Sequence, residues 1–296
     1  PRTVVSLERL LPPMPMQGHA LVEKEEYAFY HSGRQLFENY DYQSGAVRHY
    51  DVELPALLEG GTATVTVSFA HNGKNSSSLS VAMGDKALGT CNLPANSAYC
   101  EAGVTATTFK TTDLSARTRF TLTHQRAAGV SGRLDFIRIS YPIDTVAYKA
   151  HLLAHVVEAE ARGTVAPQDL HALGATDYLI VVPTSGKLTA EAERLAEAHR
   201  QRDGLRTAVV TAEQVYNEFS SGTPDATAIR RCLKMFYDRA TGRDDLPRYL
   251  LLFGDGAWDN RMLTDNWRHC SPDDYLLCFE SENSLLGGTV RIRSVF

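Results

Sequence analysis

No apolar run in this sequence approaches the ~20 residues that a bilayer-spanning helix requires. The longest, Tyr178–Pro183 and Tyr249–Gly254, fall far short, so no helix is expected to cross a membrane. A basic excess is missing as well. Lys and Arg number 30 against 35 Asp and Glu, a net charge of −5, and the basic residues are scattered. That removes the electrostatic footprint of a nucleic-acid binder, and nucleic acid is not an expected partner. The start, Pro1–Gln17, lacks the basic end, apolar run and small-residue cleavage site of a signal peptide, and is read as the start of a mature or cut chain.

Paired metal spacing is also absent. None of the five cysteines stands in a Cys-x-x-Cys arrangement, so no structural zinc site is expected. Cys91 and Cys100 bracket a polar loop, where a disulfide would close a hairpin in an oxidising compartment; two buried thiols are the alternative. No cofactor or metal is called for by any motif.

What is present is ordinary for a globular chain long enough for two cores. From about Val47 to Tyr141, short apolar–polar alternations are separated by Gly, Asn, Asp and Ser. Thr62–Ala70, Ser78–Met83, Thr118–His124 and Arg133–Tyr141 are the clearest strands. With no helix-length pattern among them, residues 45–144 are predicted to form a β-sandwich or jelly roll, preceded by an extended segment over 1–44.

After Pro142 the period changes. Ala147–Gly163 has helical spacing and ends at a Gly. Asp177–Pro183 is a continuous apolar run, as in a parallel strand covered on both faces; Leu188–Gly204 is an amphipathic helix, Leu205–Ala212 a strand, Asp225–Ala240 a helix and Pro247–Gly256 a third strand. Residues 145–296 are therefore predicted to form a doubly wound α/β domain. Ligands of such sheets bind beyond the carboxyl ends of the strands, which selects Pro183–Lys187, Thr211–Gln214 and Gly254–Asn260.

Pro183–Lys187 resembles a phosphate loop only in part, because Val181 stands where its first Gly belongs and Leu188 follows the Lys. Gly254–Asp259 has a partial dinucleotide pattern without a third Gly, and reads as a turn. His151 and His155 share a helix face with Glu158, but Leu152 stands where a metalloprotease has Glu, so helix packing is the expected role. Asp273, Asp274 and Tyr275 form an acidic loop. Cys232 and Cys278 fit core positions; Cys270 directly follows His269, but neighbours in an extended chain point their side chains apart.

In the order Leu170–Leu188, Arg248–Arg261 and Asp273–Ser284, the sequence resembles the gingipain family of caspase-like cysteine peptidases, and within it the sortases of the Bacteroidetes type IX secretion system. Arg133–Pro142 is similar to the closing strand of the β domain that precedes the catalytic domain there. The resemblance implies a caspase-like α/β fold and an exported enzyme of the outer membrane or cell surface. Its Cys would attack the bond between secreted cargo and a C-terminal signal domain, passing the acyl group to anionic lipopolysaccharide. Cargo, secretion-system components and that lipopolysaccharide are the implied partners. The family's His and Cys follow later strands, so the α/β domain reads as incomplete, no residue here takes a catalytic role, and this chain alone is expected to be inactive. Asp255, Asp259, Asp274 and Tyr275 match positions on the substrate side of the sheet. Two other readings compete: a non-catalytic surface module binding cargo or glycan, and a metal-dependent hydrolase built on Asp255 and Asp259.

Overall fold

The structure, a computed structural model, describes residues 17–29, 35–43, 47–97, 102–126, 128–156 and 164–278. The chain divides into two compact units, one of residues 1–30 and 36–161 and a second formed chiefly by residues 162–296.

Among its described residues, the first unit is all-β except for one helix. Its strands are β1 (Gln17–Glu23), β2 (Val47–Glu53), β3 (Ala63–His71), β4 (Ser77–Met83), β5 (Lys86–Leu93), β6 (Gly103–Thr111), β7 (Arg117–Gln125) and β8 (Gly132–Pro142). They pair antiparallel in two sheets, β1-β8-β3-β6 and β2-β7-β4-β5. Eight strands dealt between two sheets in that order make a jelly roll. Within the region that the sequence presents as an extended lead segment, β1 is extended and pairs with β8 along its whole length.

Period-two alternation puts Phe120 and Leu122 of β7, Val65 and Val67 of β3, and Ile137 and Ile139 of β8 into one core. The segment 36–43 adds Tyr42 to this core, with Tyr40 packed against it. Tyr42 is fully buried, its N–H bonded to the Gly132 carbonyl at 2.9 Å, and Glu38 is buried beside Arg48 at 2.7 Å. A carboxylate so enclosed needs its cation and the Tyr50 hydroxyl that also donates to it.

Helix α1 (Thr145–Ala154) starts where the Asp144 side chain accepts the N–H groups of Val146 and Ala147. Tyr148 packs partly against the sandwich core, yet no residue of α1 is buried. The packing role expected of His151 and His155 is therefore not what the fold gives them: the strands have already closed the core, and the helix lies outside it. Glu158 lies outside the described residues.

The second unit carries β9 (Tyr178–Val182), α2 (Thr189–Asp203), β10 (Thr207–Thr211), α3 (Ala212–Phe219), α4 (Thr227–Arg239) and β11 (Tyr249–Leu252). The strands are parallel in the order β10-β9-β11. Both faces of β9 are covered. Ile180 and Val182 meet Ala192 and Ala196 of α2, while Leu179 and Val181 share a cluster with Val215, Ile229, Cys232 and Phe236 of α3 and α4. This is why Tyr178–Val182 reads as an unbroken apolar run. Gly204, at φ 67°, ends α2 in the left-handed conformation that suits glycine.

Helix α3 follows β10 with no intervening turn. A reciprocal capping box allows this, Thr211 Oγ1 accepting the Gln214 N–H and Gln214 Oε1 accepting the Thr211 N–H. The sequence reading has only a loop edge there. Beyond β11, β12 (Gly256–Ala257) and β13 (Leu276–Leu277) form a short parallel ladder.

Candidate functional site

The chain leaves β9, turns to one side for β10, then returns to the other side for β11. The carboxyl ends of β9 and β11 therefore flank the point where the winding reverses, the usual ligand crevice of an open α/β sheet. Their approach is close. A Cβ on Gly254 would stand 2.8 Å from Cγ of Pro183, so the residue after Phe253 has no room for a side chain.

Two loops meet at this edge. The Ser185 N–H donates to the Asp273 carbonyl at 2.8 Å, and Lys187 Nζ donates to Asp274 Oδ2 at 2.8 Å. Lys187 first, and then the Ser185 hydroxyl, hold the Asp274 carboxyl below the usual carboxylate range. Tyr275 comes next. Its hydroxyl donates to Cys270 Sγ at 3.9 Å; that contact, with Asp255 and Asp274 adding their charge, raises the phenol above its usual range.

Asp255 is exposed at the start of the short ladder, where the Leu276 N–H donates to its carbonyl at 2.8 Å. Three of the four substrate-side candidates, Asp255, Asp274 and Tyr275, thus gather at one end of the β12–β13 pair. Asp259 is placed differently. It is fully buried, and its carboxylate accepts the N–H groups of Arg261, Leu263 and Thr264, so it shapes the loop from within. Neighbouring Asn260 brackets the backbone of Cys278, donating to its carbonyl at 2.8 Å and accepting its N–H at 3.0 Å.

A cavity of about 910 Å³ opens beside these loops, within the upper size range of small-molecule sites. Thr184, Glu213, Tyr216, Arg261, Tyr275 and Cys278 are among its walls. The contribution of α3 was not legible beforehand, although Thr211–Gln214 lies on the predicted edge; the capping pair Thr211 and Gln214 is the signal that could have revealed it.

The thiols differ in environment. Burial pushes Cys232 up to about 12, which leaves it protonated and inert in α4. Cys278 is buried at the end of β13, and Cys270 is half-buried against Tyr275. In the jelly roll, Cys91 is a buried thiol, while Cys100 lies outside the described residues.

Among the described residues, the group of three metal-type side chains brought together is Asp169, His171 and Glu218, which includes neither Asp255 nor Asp259. Glu218 already accepts from the Leu170 N–H, the Gln168 side chain and His171, anchoring the turn that leads into β9.

Residues 171–287 match the profile of peptidase family C25. No curated protein matches the sequence. Among solved structures, the dimeric latent PorU of Porphyromonas gingivalis superposes with a TM-score of 0.79 at 22% identity, over 95% of this chain and 33% of that one. This chain thus spans about a third of the length of that protein. Two carbohydrate-binding modules overlap loosely. The CBM36-1 domain of a xylanase from the hindgut metagenome of Trinervitermes trinervoides has TM-score 0.29 at 13% identity, over 41% of this chain and 96% of that one. A family 35 module from Clostridium thermocellum has TM-score 0.28 at 9% identity, over 41% and 90%. Residues 171–287 are gingipain-like, and they are carried on a chain whose fold is PorU-like.

Proposed function

We propose that this chain serves as part of a cell-surface cysteine endopeptidase of the sortase type, which removes the C-terminal signal domain of type IX secreted cargo and transfers the cargo to anionic lipopolysaccharide. The observation that carries the reading is the C25 match of residues 171–287, the stretch that builds the β10-β9-β11 sheet and the cavity at its carboxyl edge. In such an enzyme the sheet edge receives the cargo backbone, and backbone N–H groups stabilise the oxyanion formed by thiolate attack. Asp255, Asp274 and Tyr275 belong to the substrate side of that edge. The jelly roll docks cargo or secretion components.

The test is made in cells whose copy of the gene lacks the region coding for residues 171–278. Secreted cargo should keep its signal domain and lack lipopolysaccharide. Normal processing and anchoring in those cells would refute the reading. A companion experiment uses the purified chain with a cargo C-terminal peptide. We expect no thiol-dependent cleavage by this chain alone, and cleavage abolished by Cys270→Ala would assign the nucleophile differently.

A further inference from the structure

We propose that His151 and His155 form a surface chelate for a borderline divalent transition metal, Zn²⁺ in the first place, on helix α1. Four observations carry it. The two residues are four apart on one helix, the spacing that puts two imidazoles on the same face and serves zinc in helical metal motifs. Their rings lie side by side, with centroids 4.1 Å apart and planes inclined by 37°. Both are accessible, since no residue of α1 is buried and His155 is exposed.

The fourth observation concerns the tautomer. His155 Nδ1 lies 2.7 Å from the His151 carbonyl oxygen, which can only accept, so the ring proton sits on Nδ1. The lone pair is left on Nε2. Metal-binding histidines are typically prepared in this way, with one ring nitrogen donating to a carbonyl or carboxylate and the other facing the ion. His155 is also the C-cap residue, its backbone N–H donating to the Leu152 carbonyl at 3.2 Å, and the separate bond from its ring to the His151 carbonyl holds the imidazole against the backbone whether or not a metal is present.

Two imidazoles do not complete a tetrahedral sphere. The remaining positions would be taken by water or by a carboxylate or imidazole of another molecule. Nitrogen donors favour Cu²⁺ and Zn²⁺ over the oxygen-seeking Ca²⁺ and Mg²⁺, so the order of affinities is itself a signature.

The experiment is a ZnCl₂ titration of the full chain, followed by calorimetry and by the imidazole nitrogen resonances, for the unaltered protein and for His151→Ala, His155→Ala and His171→Ala. Replacing His151 leaves the His155 ring bond available, because that bond uses only the backbone carbonyl of residue 151; melting curves check that each variant folds. Zn²⁺ should shift the Nε2 resonances of His151 and His155. Each of the first two substitutions should weaken binding by more than about tenfold, since losing a ligand costs at least as much as losing its supporting partner. His171→Ala, at the separate Asp169, His171 and Glu218 group, should leave it unchanged. Failure of the protein to bind Zn²⁺, binding unaltered in His151→Ala, or binding lost only in His171→Ala would each overturn the proposal.

Discussion

Lys187 and Asp274 are 87 residues apart in sequence, and their side chains meet at 2.8 Å, tying the loop after β9 to the loop before β13. Asp274 is held below the ordinary carboxylate range by Lys187 foremost. Its favourable contribution is present above the unfolded-state pKa and is lost as pH falls through the lower folded value. Replacing Lys187 by Ala should move the Asp274 carboxyl back toward its ordinary value, as followed by the side-chain carboxyl resonance. An unchanged titration would mean that the Ser185 hydroxyl alone sets it.

Asp177 heads β9, 3% exposed, and accepts Arg206 through Nε at 2.9 Å, Nη2 at 3.0 Å and the backbone N–H at 2.9 Å. Arg206 first holds its carboxyl down to about 2, with Arg248 adding. Asp177→Asn should lower the stability of the α/β unit by about 1.5–3 kcal/mol, the usual worth of a hydrogen bond to a charged group. The acid limb follows in sign. Stability from this group is complete above the unfolded value near 3.8 and declines as pH falls toward 2, so thermal melts at pH 7 and pH 3 should converge in the variant.

His124 lies buried between the sheets of the jelly roll, with Ser77 Oγ 3.2 Å from its Nε2. Burial, reinforced by His71 and Arg126, pushes it down to about 4. The unfolded chain takes up this proton near pH 6.5 and the folded one only near 4, so the sandwich loses stability as pH drops through that window. His124→Gln should flatten the dependence of Tm on pH between 7 and 4.5, measured by calorimetry. An equal slope in the variant would assign the effect to another group.

Gly254→Ala should strain the junction of β9 and β11, because the new methyl would stand 2.8 Å from Pro183. Overpacking of this kind costs about 1–3 kcal/mol. Pro183→Ala in the same chain should recover part of the loss, and a double-mutant cycle measures the coupling.

The sequence by itself determined the division into a β half and an α/β half, because alternation at period two and an apolar run such as Tyr178–Val182 are local consequences of how strands are buried. It also carried the family likeness over residues 171–287 and pointed to Asp255, Asp274 and Tyr275 as neighbours of the sheet edge. Helix α3 escaped it, since eight residues that start directly after the last residue of a strand leave no turn to mark them. Only the tertiary structure decided that β1 belongs to the first sheet, that Asp259 faces backbone amides, that Lys187 reaches Asp274, and that His151 and His155 stand outside the core. Each of these depends on a partner distant in sequence or on which face remains uncovered once the strands have paired, and neither is written in a residue's immediate neighbours.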